Sequence, residues 1–365
     1  MVKSKARNRR GDGRSLGVKT LADVGESGWL GRLAQSLVDD TRRVSIRTLV
    51  GFGDDAAVLA LPGAAGRPLL FTTDVLIEGT HFTWRTATPA TLGEKAVAVN
   101  VSDIAAMGGR PTAMIVGLGA PASFSIARLE ALYRALERAC RRWDIDLVGG
   151  DTVRSDRLIL APALLGEFDG PAERLPLRDR VRPGQYLYVT GTLGDSAAGL
   201  AILLATRGTR ERDLAQPWRR RLVERHRRPQ PRLAEGRALA GRLDDLAMID
   251  LSDDLLKSVN ALAQASGVGA AIRLDRLPMS PALRRFCRAT RRDAVETAVC
   301  GGEDFELLFA TAAPPPRVRR ILANAGLTTP VRLIGRAGGK RVRWLDRDGR
   351  PVRIRPRAFE HFAGP

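Results

Sequence analysis

Cysteine and histidine are both scarce: the 365-residue chain holds three of each. Cys140, Cys287 and Cys300 lie far apart without CxxC spacing, so neither a disulfide framework nor a zinc site is indicated. Three histidines, His81, His226 and His361, leave little material for a Ser-His-Asp hydrolase, and no GxSxG elbow occurs. The P-loop pattern GxxxxGKS/T is missing, as are the HRD and DFG triplets of protein kinases. GFGDDA satisfies GxGxxA, but VLALP follows it as a strand rather than a helix, and two aspartates would repel a pyrophosphate. A Rossmann site is excluded. No apolar run approaches the roughly 18 to 20 residues that span a bilayer, and the start, MVKSKARNRRGDGRS, has no signal-peptide stretch. The expectation is a cytoplasmic protein with no membrane contact.

Acidic residues are outnumbered, 40 against 59 Lys and Arg, giving a net charge of +19. Such a field attracts polyanions. The basic residues are nevertheless spread along the chain, mostly as arginine, with no RNP-type aromatic pattern, zinc-finger spacing or helix-turn-helix. Nucleic acid is therefore not expected as a specific partner. With 44% hydrophobic residues the chain can build packed cores, and its length suggests two domains.

The pattern places a flexible basic tail over 1–28, a mixed α/β domain over 29–167 and a second α/β domain over 168–365. WLGRLAQSL after Gly28 has short-helix spacing, TLVGFGDDAAVLAL reads as strand, turn, strand, and PLLFTTDVLIEGTHF as an extended run. Helices are expected between Thr91 and Met107 and over 125–143; TAMIVGLGAP, IDLVGGD and RLILAPALLGEF read as strands. In the second half, QYLYVTG and LAMIDL are strands, each turning into a helix, one near Asp195 and one closed by Gly267. The N–H groups at the start of the Asp195 helix are expected to favour an anion.

The acids are not scattered at random. Asp54 and Asp55 in GDDAA, Asp74 in TTD, Asp103 in NVSD, Asp151 in GGD, Asp250, Asp253 and Asp254 in DLSDD, and Glu303 and Asp304 in GGED all sit where apolar strands run into small-residue turns. Any one of these alone is an ordinary turn former or helix cap. Few have Arg or Lys within two residues, and a carboxylate at a buried strand end needs a positive partner. A shared hard cation meets that need, because Mg²⁺ takes carboxylate, hydroxyl and water oxygens and bridges them to phosphates. Asp74 with Thr72 and Thr73 suits this chemistry.

These segments together carry a resemblance. GDDAAV, TTDVLIEGTHF, KAVAVNVSDIAAMGGRPTA, LVGGDT, VTGTLGDSAAGLAIL, IDLSD, CGGEDFELLF and the closing FEHFAGP resemble, in order, the thiamine-monophosphate kinases of the aminoimidazole-ribonucleotide-synthetase-like superfamily. The resemblance implies a two-domain α/β (α+β) fold whose N-terminal sheet pairs in a homodimer. It implies transfer of the ATP γ-phosphoryl to thiamine monophosphate with several Mg²⁺ ions, and no covalent nucleophile. Carried over, it makes Asp55, Thr72, Thr73, Asp74, Asp103, Asp151, Asp250 and Asp253 metal ligands. Gly150, Asp151, Arg178 and Ser252 become nucleotide contacts, and His81, Glu303 and Phe359 hold the thiamine phosphate. Two departures from the family pattern stand out: Asp254 replaces a usual Gly, adding negative charge beside the expected phosphate site, and Gln185 replaces an Asp. The sister selenophosphate synthetases would want a reactive Cys in an N-terminal Gly-rich loop and hydrogenase-maturation relatives a C-terminal one; this chain has neither.

Overall fold

A single buried helix organises the molecule, and its sequence explains why. In α1 (Pro89–Ala106) the Thr88 side chain and Thr91 form a reciprocal capping box and Pro89 opens the first turn. Fourteen of its 18 residues are buried, most of them small and apolar. A helix apolar on all sides belongs inside a protein. The computed structural model describes residues 23–25, 28–29, 47–51, 53–60, 67–205 and 215–354. Phe359 and most of the helix expected after Gly28 lie outside them; within the expected tail, residues 23–25 are helical.

Against one side of α1 lies a seven-stranded sheet in the order β1 (Arg47–Val50), β2 (Ala57–Ala60), β3 (Leu69–Thr73), β7 (Ile159–Glu167), β5 (Arg110–Ala120) and β6 (Asp146–Arg154), with β4 (Leu76–Ile77) beside β7. All pairings are antiparallel except β5 with β6. Period-two alternation turns Leu70, Met114, Val116, Leu160 and Leu164 into the core. It leaves Phe71, Ile115 and Leu165 exposed on the outer face. The amphipathic α2 (Ile126–Arg142) packs on α1, so closely that a Cβ at Gly93 would come within 2.5 Å of the Leu132 carbonyl oxygen.

A second seven-stranded sheet has the order β14 (Pro351–Val352), β13 (Arg343–Leu345), β10 (Ala270–Arg273), β12 (Val331–Ala337), β8 (Tyr186–Thr190), β11 (Leu307–Thr311) and β9 (Ala247–Asp250). Its pairings are antiparallel except β10 with β13. One face gives Tyr188, Met248 and Phe309 to the core around α1. The other gives Leu187, Val189, Ile249 and Leu308 to a second core. That second core is closed by α3 (Asp195–Ala205), α4 (Pro217–Arg227), α6 (Leu255–Ser266), α7 (Pro281–Thr290) and α8 (Ala294–Cys300). Two further helices, α5 (Leu233–Ala240) and α9 (Pro315–Asn324), contribute to the first core. All these elements belong to one compact unit, Val44–Ala358. Among the described residues no helix is long and apolar enough to cross a membrane.

Candidate active site

Four strand or helix ends deliver acids to one place. The turn between β1 and β2 carries Asp54 and Asp55, the end of β3 carries Thr72 and then Asp74, the last turn of α1 carries Asp103, and β9 ends in Asp250. Carboxylate oxygens of Asp55, Asp103 and Asp250 all lie within 4.8 Å of one another. The cluster is held by hydroxyls: Thr72 Oγ1 donates to Asp103 Oδ2 at 2.5 Å, while Ser102 and Ser252 donate to the two Asp250 oxygens at 2.7 and 3.1 Å. The Asp74 backbone N–H donates to Asn100 Oδ1 at 3.2 Å, tying this acid to α1 as well.

Like charges brought together out of water keep their protons. Burial, then Asp55, pushes Asp250 up to about 7. Burial pushes Asp74 to about 6, and burial followed by Asp74, Asp250 and Asp55 carries Asp103 well above the carboxylate range. The donors are all oxygens, with no His or Cys in the group, which fits a hard divalent cation and not zinc.

One cation within the protein already faces the cluster. Arg178 grips Asp55 with Nη2 at 2.6 Å from Oδ1 and Nε at 3.2 Å from Oδ2, and its backbone N–H donates to Asp54 Oδ2 at 3.1 Å. The two-point grip is the geometry in which a guanidinium binds any paired oxyanion, phosphate included. Asp54, buried beside Asp55, is pushed to about 7.

The remaining expected residues are distributed around this centre. Thr73 points to the other side of β3, its hydroxyl donating to the Pro162 carbonyl at 2.8 Å. Gly150 and Asp151 lie on β6, exposed; a Cβ at Gly150 would come within 2.0 Å of the Val116 carbonyl oxygen, so only glycine fits. Asp253 is exposed and pairs with Lys257 at 3.2 Å, outside the three-carboxylate group. Asp254, the departure within DLSDD, takes a local structural role. It is buried as the N-cap of α6, with Oδ1 accepting from Lys257 N at 2.7 Å. Gln185 donates to the Asp245 carbonyl at 2.6 Å, a packing role remote from the acids.

Beside the carboxylates, His81 and Glu303, two of the three substrate residues implied by the resemblance, form a second group. His81 Nδ1 accepts the Ile77 N–H at 3.0 Å, which leaves Nε2 as the protonated nitrogen of the neutral ring. Glu303 stands in the left-handed region at φ 64°, with its backbone N–H on the Ser252 carbonyl at 2.9 Å, so it is latched to the loop that follows Asp250. Its carboxylate meets Lys95 Nζ at 2.5 Å and His226 Nδ1 at 3.3 Å. Ser196 Oγ also lies 3.1 Å from His226 Nδ1. A Ser-His-Glu relay needs the acid and the serine on opposite ring nitrogens, so this trio is not a hydrolytic triad.

Two sequence expectations need correction. The start of α3 is not an open anion site, because Asp304 fills it, accepting from Gly194 N at 2.6 Å and Ser196 N at 3.1 Å. The acids of GGED and GDD do not depend on a bound cation alone: Lys95 reaches Glu303 and Arg178 reaches Asp55 across the fold, while Arg225 and Arg232 hold the neighbouring Glu306. None of these partners is near in sequence, which is why a local window missed them. Lys95 was detectable in principle, being the one basic residue inside an otherwise apolar stretch of α1. A larger cavity, about 560 Å³, lies elsewhere between Trp84, Phe124 and Arg128, whose guanidinium sits 3.8 Å over the Trp84 ring.

Two sheets clasping one buried helix, with carboxylates from both halves meeting at its end, define a class. Residues 53–168 match the AIR synthase related protein N-terminal domain, and 182–344 match its C-terminal domain. Within that class the chain is 37% identical over 329 residues to the thiamine-monophosphate kinase of Salmonella typhimurium, covering 90% of this chain and 96% of that one. A solved structure described as AaThiL complexed with AMPPCP and TMP superposes with a TM-score of 0.77 at 31% identity, covering 94% of this chain and 99% of that one. The thiamine-monophosphate kinase of Stenotrophomonas maltophilia K279a gives 0.69 at 33% identity, over 88% and 96%. The chain belongs to the thiamine-monophosphate kinase family.

Proposed function

We propose that this chain transfers the γ-phosphoryl group of ATP to thiamine monophosphate, forming thiamine diphosphate in one in-line step without a covalent enzyme intermediate. The observation that carries this reading is the all-oxygen group of Asp55, Asp103 and Asp250, contributed by both matched domains, in a chain 37% identical to a kinase of that name. The acceptor phosphate is already anionic, so the barrier lies in bringing two polyanions together and aligning them.

Asp55, Asp103 and Asp250, with Asp74 and the Thr72 hydroxyl, would hold Mg²⁺, and Thr73, Asp151 and Asp253 would complete the set. The chemistry supplied there by a bound divalent ion is screening of the repulsion and stabilisation of charge on the bridging oxygens. Arg178 serves the ATP phosphates by the same fork with which it holds Asp55. Gly150, Asp151 and Ser252 line the nucleotide. His81 donates from Nε2 to the acceptor phosphate, Glu303 accepts from the thiamine moiety and Phe359 stacks on a ring.

The same reading includes a homodimer. Phe71, Ile115 and Leu165 on the outer face of the first sheet, and Val148 and Val153 on β6, are all exposed, and among the described residues β6 is an edge strand. A contiguous apolar face of this kind favours burial against a partner. The decisive assay incubates purified protein with ATP, MgCl₂ and thiamine monophosphate: thiamine diphosphate and ADP should form in equal amounts, and ADP without diphosphate would refute the acceptor.

A further inference from the structure

Glu303 is held more elaborately than a residue that merely meets a substrate needs to be. Its backbone stands at positive φ, and so does that of Phe305 two residues on, at φ 50°. Non-glycine residues in this region cost free energy and persist only where surrounding contacts over-determine them. Those contacts come from two helices. From α1, the Lys95 ammonium lies 2.5 Å from Oε1 with its side chain only 7% exposed. From α4, His226 brings Nδ1 to 3.3 Å from Oε2, its side chain 5% exposed. Also from α4, Arg225 Nη2 donates to the Asp304 carbonyl at 3.0 Å and to Glu306 Oε1 at 2.8 Å, clamping the residues that follow. Glu303 itself keeps 31% of its side chain exposed. Its carboxylate is therefore gripped from behind and open in front.

We propose that Lys95 and His226 are a positioning pair that presents Glu303 to the thiamine moiety as a charge-compensated hydrogen-bond acceptor. The inference rests on the proposed placement of Glu303 against that substrate. Lys95 cancels the formal charge of the carboxylate at contact distance. His226 is neutral, since burial and then Lys95 lower it to about 4, so its ring, whose Nδ1 also meets Ser196 Oγ at 3.1 Å, confines the second oxygen without adding charge. A carboxylate ionised yet already neutralised accepts an N–H well but offers no spare charge to a cationic ring. The group recognised by Glu303 is accordingly an amino hydrogen of the aminopyrimidine and not the thiazolium. His81, which also lowers Glu303, faces the same small cavity as Lys95 and His226.

The test uses the full chain with ATP and thiamine monophosphate, measuring KM for each. Lys95→Met should raise KM for thiamine monophosphate about tenfold and leave KM for ATP within twofold. In a Glu303→Gln background the same change should add less than twofold, because its partner is gone. His226→Asn, which keeps a donor near the Nδ1 position, should stay within about threefold of the parent, whereas His226→Leu should match Lys95→Met; this pair decides the matter if Lys95→Met does not fold. Equal rises in both KM values, or additive effects in the Glu303→Gln background, would overturn the positioning role. If Glu303→Gln alone leaves KM for thiamine monophosphate unchanged, the placement of Glu303 fails, and the pair fails with it in a distinguishable way.

Discussion

Asp103 and Asp250 concentrate the conflict on which the site depends. Each is pushed upward by burial and by the other acids, so at neutral pH the cluster holds protons that the proposed divalent ion would have to displace. Mg²⁺ binding near pH 7 should release protons, and the release should fade toward pH 9; titration calorimetry in buffers of different ionisation enthalpy reads this directly. The same groups destabilise the metal-free fold. A carboxyl raised from 3.8 to about 7 binds more protons native than unfolded, so its contribution to stability falls as pH rises through that window. Asp250→Asn should therefore gain stability relative to the parent as pH increases from 4 to 8, by roughly 1 kcal/mol or more, in thermal melts without metal. Turnover in Asp103→Asn or Asp250→Asn should fall by about 10³-fold or more, the scale of lost electrostatic stabilisation at a transferring phosphoryl. A variant with near-parental activity would remove the acids from the site.

At the scale of elements, α1 is the part that everything else is referred to. It delivers Lys95, Asn100, Ser102 and Asp103 to the two neighbouring groups of side chains, and it can do so only because its neighbours come very close. Gly93 admits α2, and a Cβ at Gly236 on α5 would stand 2.1 Å from the Ala105 carbonyl oxygen. Gly236→Val should destabilise the protein by about 1–3 kcal/mol or more through overpacking and should displace the Asp103 end of the helix, lowering activity more than a surface Gly→Val of equal helix cost. Chemical denaturation with activity measured in the folded fraction separates the two effects. Element identity was largely readable: the spacing of Leu92, Ala96, Val99 and Ala106 gave α1, and Gly267, at φ 68°, closes α6 where the helix was expected to stop. None of α4, α5, α7, α8 and α9 was foreseen; for α4 the reason is that WRRRLVERHRRPQPR is mostly arginine and proline and its apolar residues are too few to set a period.

For the whole molecule, the proposed homodimer would form through the outer face of the first sheet. Replacing Ile115 and Leu165 by Lys together should convert a dimer to monomer in sedimentation velocity while leaving the far-UV spectrum intact, because both side chains project away from the core. A dimer that persists would place the interface elsewhere. The charge of +19 works at this scale too. It favours encounter with anionic ATP and thiamine monophosphate, so kcat/KM should fall as salt is raised, and more steeply than kcat.

The linear chain by itself determined the strands and helices whose apolar spacing is regular, because that periodicity is a local property, and it marked the acids worth following, because strand ends followed by small residues are visible in a short window. It also narrowed the chemistry to expect, since three histidines, three cysteines and no P-loop leave little material for a zinc site, a Ser-His-Asp hydrolase or a P-loop enzyme. Only the tertiary structure decided which acids share a site and which are already spoken for. Asp254 and Asp304 became helix caps, Asp55 acquired Arg178, and Glu303 acquired Lys95 and His226. The reason is that Coulomb energy depends on distance through space and on burial, and neither follows from separation along the chain.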